Sequence, residues 1–283
     1  MYYDEQLDIL IINALNEDIG NGDHSTLSCI KPRTPASAIL KIKQDGILAG
    51  LSVAHRIFSH FQPDANFISL KNDGDKIVSG EIAFEVNAFA QTILSCERLV
   101  LNCMQRMSGI ATLTKRYTEK LEGFHTQLLD TRKTTPNFRL LEKEAVRIGG
   151  GINHRFGLYD MIMLKDNHID YCGGIEPAIE KANNYIIENK LDLKIEIETR
   201  TIEDVKMVLK AGKVHRIMLD NFMPFEIDTA LKLIGGRYET EASGGIGLNN
   251  IQEYAATGVD FVSCGAIIHH AVSLDFSLKA QIL

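Results

Sequence analysis

The chain has 283 residues, 45% hydrophobic and 24% charged, with Lys+Arg 30 against Asp+Glu 37 for a net charge of −7. That length supports one large or two ordinary domains with a real core, and the composition excludes low-complexity disorder. An acidic total fits nucleic-acid binding poorly and no run approaches the roughly 18 apolar residues of a membrane span, so neither nucleic acid nor membrane is expected as a partner.

The opening MYYDEQLDILIINALNEDIG carries Asp4, Glu5 and Asp8 where a secretory signal needs positive charge, so a cytoplasmic protein is expected. Leu7, Leu10, Ile11, Ala14 and Leu15 recur at helical spacing, which predicts an amphipathic helix over residues 4–18. The segments SAILKIKQDGILAGL and IVSGEIAFEVNAFAQTIL read as strands, with NDGDK as a turn between them, and predict a small sheet-plus-helix domain. Ser95 reads as the N-cap of one or two long helices running to about Leu121, with Gly109 as the first breaker. The domain boundary is placed near Met107, giving domains 1–107 and 108–270, with a tail at about 271–283 expected to pack back on the first.

Beyond that boundary the texture is a repeat: a short apolar strand with a polar residue at its end, then a helix, then Gly. The strands are HTQLLDT, DMIMLKDN, LKIEIET, HRIMLDN, YETEASGG and VDFVSCGA. The polar ends Lys165, Glu198, Asp220, Ser243 and Cys264 follow one another by 33, 22, 23 and 21 residues. Such β/α alternation implies a parallel sheet with right-handed crossovers. Six strands are too few for the eight of a closed barrel, so an incomplete α/β barrel is expected.

Cys29, Cys96, Cys103, Cys172 and Cys264 form an odd set with no CxxC, which reads as reduced thiols rather than disulfides or a zinc site. Charge is uneven: from Asp130 to Lys165 seven cations face four acids, which suggests a small anionic ligand. Arg139, Lys143 and Arg147, spaced i, i+4 and i+8, have the plainer reading of a solvated helix face.

In a parallel α/β barrel the strands' C-terminal ends carry the site. Projected there, Arg132, Lys133, His154, Arg155 and Lys165 come first, then Glu198 and Asp220, then the loops that begin SGG and CGA. Clustered Arg and Lys bind carboxylates by charge-assisted hydrogen bonds, paired acids hold Mg²⁺ or ribose hydroxyls, and small loop residues let backbone N–H groups approach phosphate. A dianionic acid beside a magnesium-bound sugar phosphate is consistent with that order. Rival readings stand for each acid and for Lys165: Glu196 and Glu198 share a face that is open to solvent, Asp220 caps its own loop, and Lys165 pairs with Asp166. His24, His55, His60, His125, His215, His269 and His270 lack a partner pattern and are read as structural.

These segments resemble one family through NEDIGNGDHST, GILAGL, ERLVLNCMQRMSGIATLT, LLDTRKTTPNFRLLEKEAVRIGGGINHRFGLYDMIMLKDNHI, IMLDN, EASGGI and YAATGVDFVSCGAIIHHAVSLDFSL. That family is quinolinate phosphoribosyltransferase, or nicotinate-nucleotide pyrophosphorylase (carboxylating), of NAD biosynthesis. The resemblance implies conversion of quinolinate and phosphoribosyl pyrophosphate to nicotinate mononucleotide, pyrophosphate and CO₂, with Mg²⁺. It also implies an N-terminal open-faced α/β sandwich, an incomplete α/β barrel, and a homodimer in which the sandwich of one subunit covers the barrel of the other.

Residue by residue, the resemblance puts quinolinate binding on Arg132, His154, Arg155, Lys165 and Arg98, the last reaching in from the neighbouring subunit. Substrate contact at Thr131 accompanies them. Phosphoribosyl pyrophosphate and metal fall on Lys133, Glu198 and Asp220, with Ser243, Gly244, Gly245, Cys264, Gly265 and Ala266 on phosphate. Lys133, Lys165, Glu198 and Asp220 are the implied catalytic set, and Glu198 and Asp220 the implied metal ligands. This chain departs from the family at Asn137-Phe138, at Cys264, where oxidation sensitivity would be added, and at Ile268-His269-His270. Rival classes are a ModD-like paralogous phosphoribosyltransferase, a Schiff-base aldolase using Lys165, and a non-catalytic metabolite sensor.

Overall fold

The computed structural model describes residues 2–281. It opens with α1 (Tyr2–Ile19), which buries Leu7, Ile11 and Leu15 as the helical spacing requires. In α2 (His24–Cys29), Asp23 caps the start by accepting the Thr26 N–H at 3.1 Å. Next come β1 (Pro35–Ile42), β2 (Gly46–Ile47), α3 (Leu51–Phe61), β3 (Asn66–Ser69), β4 (Lys76–Ile77), β5 (Ile82–Phe89) and α4 (Ala90–Lys120).

Two details of α4 differ from expectation. The helix begins at Ala90, directly out of β5, so Ser95 is not its N-cap; its Oγ donates to Asp23 Oδ2 at 3.3 Å instead. Gly109 does not break it either. A Cβ there would lie 2.1 Å from the Val272 carbonyl oxygen, so glycine is present because another stretch of backbone passes against the helix.

The chain continues through β6 (Gln127–Leu129), α5 (Arg139–Ile148), β7 (Ile162–Leu164), α6 (Asp166–Cys172), α7 (Ile175–Asn189), β8 (Ile195–Thr199) and α8 (Ile202–Ala211). It ends with β9 (Arg216–Asp220), α9 (Pro224–Ile234), β10 (Glu239–Ser243), α10 (Ile251–Ala255), β11 (Phe261–Ser263), α11 (Ala266–His269) and β12 (Phe276–Gln281). Two compact units result: Met1–Lys115 with Thr134–Gly150 and Ile267–Leu283, and Arg116–Lys133 with Gly151–Ala266.

In the first unit an antiparallel sheet runs β12-β1-β5-β3, with β1 between β12 (Ile42 opposite Phe276) and β5 (Leu40 opposite Phe84). The period-2 pattern of β1 turns Ala38, Leu40 and Ile42 inward, where all three are fully buried. Phe58 of α3 meets Phe84 edge-on with ring centroids 6.2 Å apart, and both are fully buried. Burial of a side chain that large is worth roughly 1.5–3 kcal/mol. Helix α5 also belongs here and corrects the solvated-face reading: Arg147 is exposed and pairs with Glu144, but Lys143 is only 2% exposed.

The second unit is a six-stranded parallel sheet, β6-β11-β10-β9-β8-β7, built from the six strands read in the sequence. Helices α7, α8 and α9 alternate with β7 to β10, and α8 starts with a reciprocal cap between Thr201 and Asp204. Among the described residues β6 and β7 do not pair, so the barrel is incomplete. No helix among the described residues is long and apolar enough to cross a membrane.

Candidate active site

In the second unit the free edge of β6 is extended by the segment after Gly151. Ile152 bridges Leu129 in parallel, donating its N–H to Leu128 O at 2.8 Å, and Asp130 N–H returns to Ile152 O at 3.1 Å. Buried Asp130 then fixes the next two residues of that segment: Oδ1 accepts the His154 N–H and Oδ2 the Asn153 amide, both at 2.8 Å. His154 and Arg155 are thus carried past the end of β6, beside Thr131, Arg132 and Lys133. Thr131 Oγ1 accepts the Lys133 N–H at 3.0 Å and turns the exposed Lys133 outward along the loop. Arg155 is half-buried, and burial, then the charge of Arg132, lowers its pKa. Two guanidiniums held so close repel one another, and an anion between them would relieve that repulsion.

Further round the sheet, Lys165 directly follows β7 and its Nζ donates to Glu198 Oε1 near the end of β8. Its ion partner is therefore Glu198, not Asp166, whose backbone N–H lies 3.3 Å from Glu198 Oε2. Asp220, at the end of β9, has its pKa raised by burial and then by the Glu198 charge, with Lys165 opposing. Lys165, Glu198 and Asp220 therefore form one cluster.

The two glycine loops are tied to the same rim. Asn221, at φ 58°, donates its N–H to Ser243 O at 2.7 Å. Gly244, at φ 97°, lies so near Asn221 that a Cβ would sit 2.1 Å from Oδ1. Cys264 donates its N–H to Leu129 O at 3.0 Å and its thiol to Ile246 O at 3.1 Å. At 2% exposure that thiol is shielded from the oxidation expected of it. Ser243, Gly244, Gly265 and Ala266 are half-buried and Gly245 is exposed. Arg98 is on α4 in the first unit, exposed to solvent.

Behind the rim is a polar network that the sequence reading missed. Glu196 and Glu198 are both buried, which overturns the solvated-face alternative. His154 Nε2 lies 2.8 Å from Glu196 Oε2 and 3.3 Å from Glu241 Oε2. Arg216 donates Nη1 to Glu241 at 3.0 Å and Nη2 to Glu239 at 3.0 Å, with its guanidinium 4.1 Å over the Phe261 ring. Burial works against charge on His154, but the bonds to Glu196 and Glu241 outweigh it and pull the ring up to about 9. The Arg155 N–H opposes that pull by donating to Nδ1 at 2.6 Å. A proton on Nδ1 would face that N–H, so the geometry accommodates the neutral ring with its proton on Nε2.

Burial and the Glu241 charge hold Glu196 above its ordinary pKa. His154, Glu196 and Glu241 bring donor atoms of a kind that hold metals within 4.8 Å of one another, yet Arg216 already supplies the positive charge there. The sequence signal for these residues was the period-2 spacing of Glu196 before Glu198 and Glu241 before Ser243.

The quinolinate phosphoribosyl transferase C-terminal domain family matches residues 110–279 and its N-terminal domain counterpart residues 23–108. A mitochondrial quinolinate phosphoribosyltransferase [decarboxylating] 2 of Nicotiana glauca is 44% identical, over 94% of this chain and 80% of that protein. A probable nicotinate-nucleotide pyrophosphorylase [carboxylating] of Bacillus subtilis (strain 168) is 41% identical, over 98% of this chain and 94% of its own. The crystal structure of NadC from Streptococcus pyogenes superposes with a TM-score of 0.91 at 40% identity, covering 98% of this chain and 97% of that one.

A parallel sheet open between β6 and β7, with cations and acids at its rim, here makes an enzyme of the pentosyltransferase class. The chain belongs to the quinolinate phosphoribosyltransferase family.

Proposed function

We propose that this chain transfers the phosphoribosyl group of phosphoribosyl pyrophosphate to the ring nitrogen of quinolinate, with loss of CO₂, in NAD biosynthesis. The observation that carries the reading is the make-up of the rim: the close Arg132–Arg155 pair, and Lys165 gathered with Glu198 and Asp220. Quinolinate brings two carboxylates, and several cations offset its desolvation and discriminate against mono-acids. Each ion pair at ~4 Å is worth roughly 4 kcal/mol of Coulomb energy at an effective dielectric of ~20, before desolvation is subtracted. His154, whose ring nitrogens are taken by Glu196 and the Arg155 N–H, orients the Arg155 backbone, and Arg132, Arg155 and Lys165 are the proposed acid-binding donors beside Thr131. Their planar or fixed donors would hold the ring so that its nitrogen faces the ribose C1.

The second substrate falls to Lys133, Glu198 and Asp220, with the backbone of Ser243 to Gly245 and Cys264 to Ala266 on phosphate. As the C1–O bond to pyrophosphate breaks, positive charge grows on the sugar, where Glu198 and Asp220 stabilise it, and negative charge on the leaving group, where Lys133 stabilises it. The ring nitrogen bonds to C1 and becomes positive. The electron pair left by departing CO₂ is stabilised by that nitrogen until the ring carbon takes up a proton.

Glu198 and Asp220 also fit Mg²⁺. Burial raises the Asp220 pKa and the Glu198 charge adds to it, so the two carboxylates repel one another, and Mg²⁺ is usually held by one or two carboxylates plus substrate phosphates. Bound there, the ion would supply neutralising charge to pyrophosphate.

Five free thiols, three of them buried, suit a reducing compartment, and the proposed location is the cytoplasm. The names of plant relatives place those proteins in mitochondria or chloroplasts. We further propose a homodimer in which Arg98 reaches the partner's site.

Incubation with quinolinate, phosphoribosyl pyrophosphate and Mg²⁺ should yield CO₂ and nicotinate mononucleotide; no turnover refutes the reading. Arg155→Ala should weaken quinolinate more than phosphoribosyl pyrophosphate, and Glu198→Gln the reverse. Inactive Arg98→Ala and Arg155→Ala chains should regain activity when mixed, and no recovery despite verified subunit exchange counts against the shared site.

A further inference from the structure

Within the first unit one carboxylate is satisfied to an unusual degree. Glu142 of α5 is 0% exposed, and Arg106 of α4 donates Nε and Nη2 to its Oε1 at 3.0 and 2.8 Å. Thr135 adds its N–H to Oε2 at 2.8 Å and its hydroxyl to Oε1 at 3.0 Å. The same guanidinium donates Nη1 to Ala271 O at 2.7 Å and Nη2 to Ile268 O at 2.9 Å. The ion pair therefore ties four stretches together: α4, α5, the loop through Thr135, and the turn from Ile268 to Ala271.

Two of those stretches adjoin residues assigned above to the activated sugar. Thr135 is two residues beyond Lys133, and Ile268 is two residues beyond Ala266. The loop between them and α5 is tight: Arg139 Nε donates to Thr134 Oγ1 at 2.9 Å, Phe138 N–H returns to Thr135 O at 3.1 Å, and Asn137 takes a φ of 62°. A buried ion pair is a poor device for stability alone, since apolar residues of similar volume often do as well. What the planar guanidinium adds is fixed angles to several acceptors at once.

We propose that Arg106 and Glu142 are positioning residues for phosphoribosyl pyrophosphate, holding the chain just after Lys133 and just after the 264–266 loop in one fixed arrangement. This rests on the function proposed above. Neither residue touches substrate; both act through the backbone of Thr135, Ile268 and Ala271.

The test is steady-state kinetics on the full chain, with Glu142→Gln, Arg106→Lys and Thr135→Val compared with wild type and the melting temperature of each recorded. Glu142→Gln and Arg106→Lys should raise KM for phosphoribosyl pyrophosphate on the order of tenfold, as displaced contacts do, while KM for quinolinate stays within about twofold. Thr135→Val, which removes one hydroxyl bond and keeps the N–H, should give a smaller rise in the same KM and carries the test if a charge variant fails to fold. Equal changes in both KM values, or a lowered melting temperature with unchanged kinetics, overturn the proposal. A wild-type chain inactive on these substrates instead sinks the functional reading beneath it, so the two failures are distinguishable.

Discussion

Replacing Arg216 by Met separates the polar interior of the second unit from ordinary core packing. The Arg216 side chain is 11% exposed and is the cation beside Glu241, whose side chain is 0% exposed and whose neighbour Glu196 is 1% exposed. Arg216→Met leaves those acids with His154 as their near partner. Removing one member of a buried pair costs about 3–5 kcal/mol, because the other charge stays behind uncompensated. Loss of the Phe261 stacking adds about 0.5–2 kcal/mol, and the Met side chain returns part of the packing. A net loss of about 3–5 kcal/mol corresponds to a fall in melting temperature of roughly 6–20 °C for a unit of this size. Urea unfolding of the full chain, followed by far-UV circular dichroism, is the assay. The double variant Arg216→Met/Glu241→Met removes both charges and should recover most of the loss. A single variant within about 1 kcal/mol of wild type, or a double variant less stable than the single, refutes the reasoning.

Gly109→Ala should destabilise the first unit by about 1–3 kcal/mol, since the new methyl meets the Val272 backbone, which cannot rotate aside; a melting curve matching wild type would contradict this. Asp260 is partly buried, which raises its pKa, but the Thr240 hydroxyl and N–H at 2.7 and 2.8 Å outweigh burial and hold it below the ordinary value. Its carboxylate therefore adds stability above the unfolded pKa and loses it as pH falls through the folded one. The stability gap between wild type and Asp260→Asn should close below about pH 4, and parallel curves from pH 7 to 3 would disprove it. Burial pushes the Cys96 and Cys103 thiols up to about 12, whereas Cys29 is exposed and Cys172 half-buried. Ellman's reagent at pH 8 should modify Cys29 and Cys172 first and reach Cys96 and Cys103 only on unfolding, as peptide mapping would report.

The parallel strands were legible because each combines an apolar run with a polar end, a pattern local enough to read along the chain. The start of α4 was not: β5 runs into it without a turn residue, so nothing local marks the switch at Ala90. Gly109 misled for a similar reason, since its purpose is set by Val272, far along the chain. Lys143 sits at solvated-face spacing yet is buried, which periodicity of charge alone does not disclose. Among the proposed site residues, Lys165 and Glu198 were visible singly but not as each other's partner. The Glu196, Arg216 and Glu241 set becomes a unit only through the parallel register that aligns Glu196 with Arg216 and Arg216 with Glu239. No short-range spacing encodes that.

The place of β12 has a consequence for biosynthesis. Strand β1 gains its second neighbour from residues 276–281, so an emerging polypeptide carries Ala38, Leu40 and Ile42 on an unfinished sheet margin while more than two hundred later residues are still being made. Truncation before Phe276 would make that exposure permanent, and clumping of the product, rather than slow turnover, is the defect such a shortened chain should display.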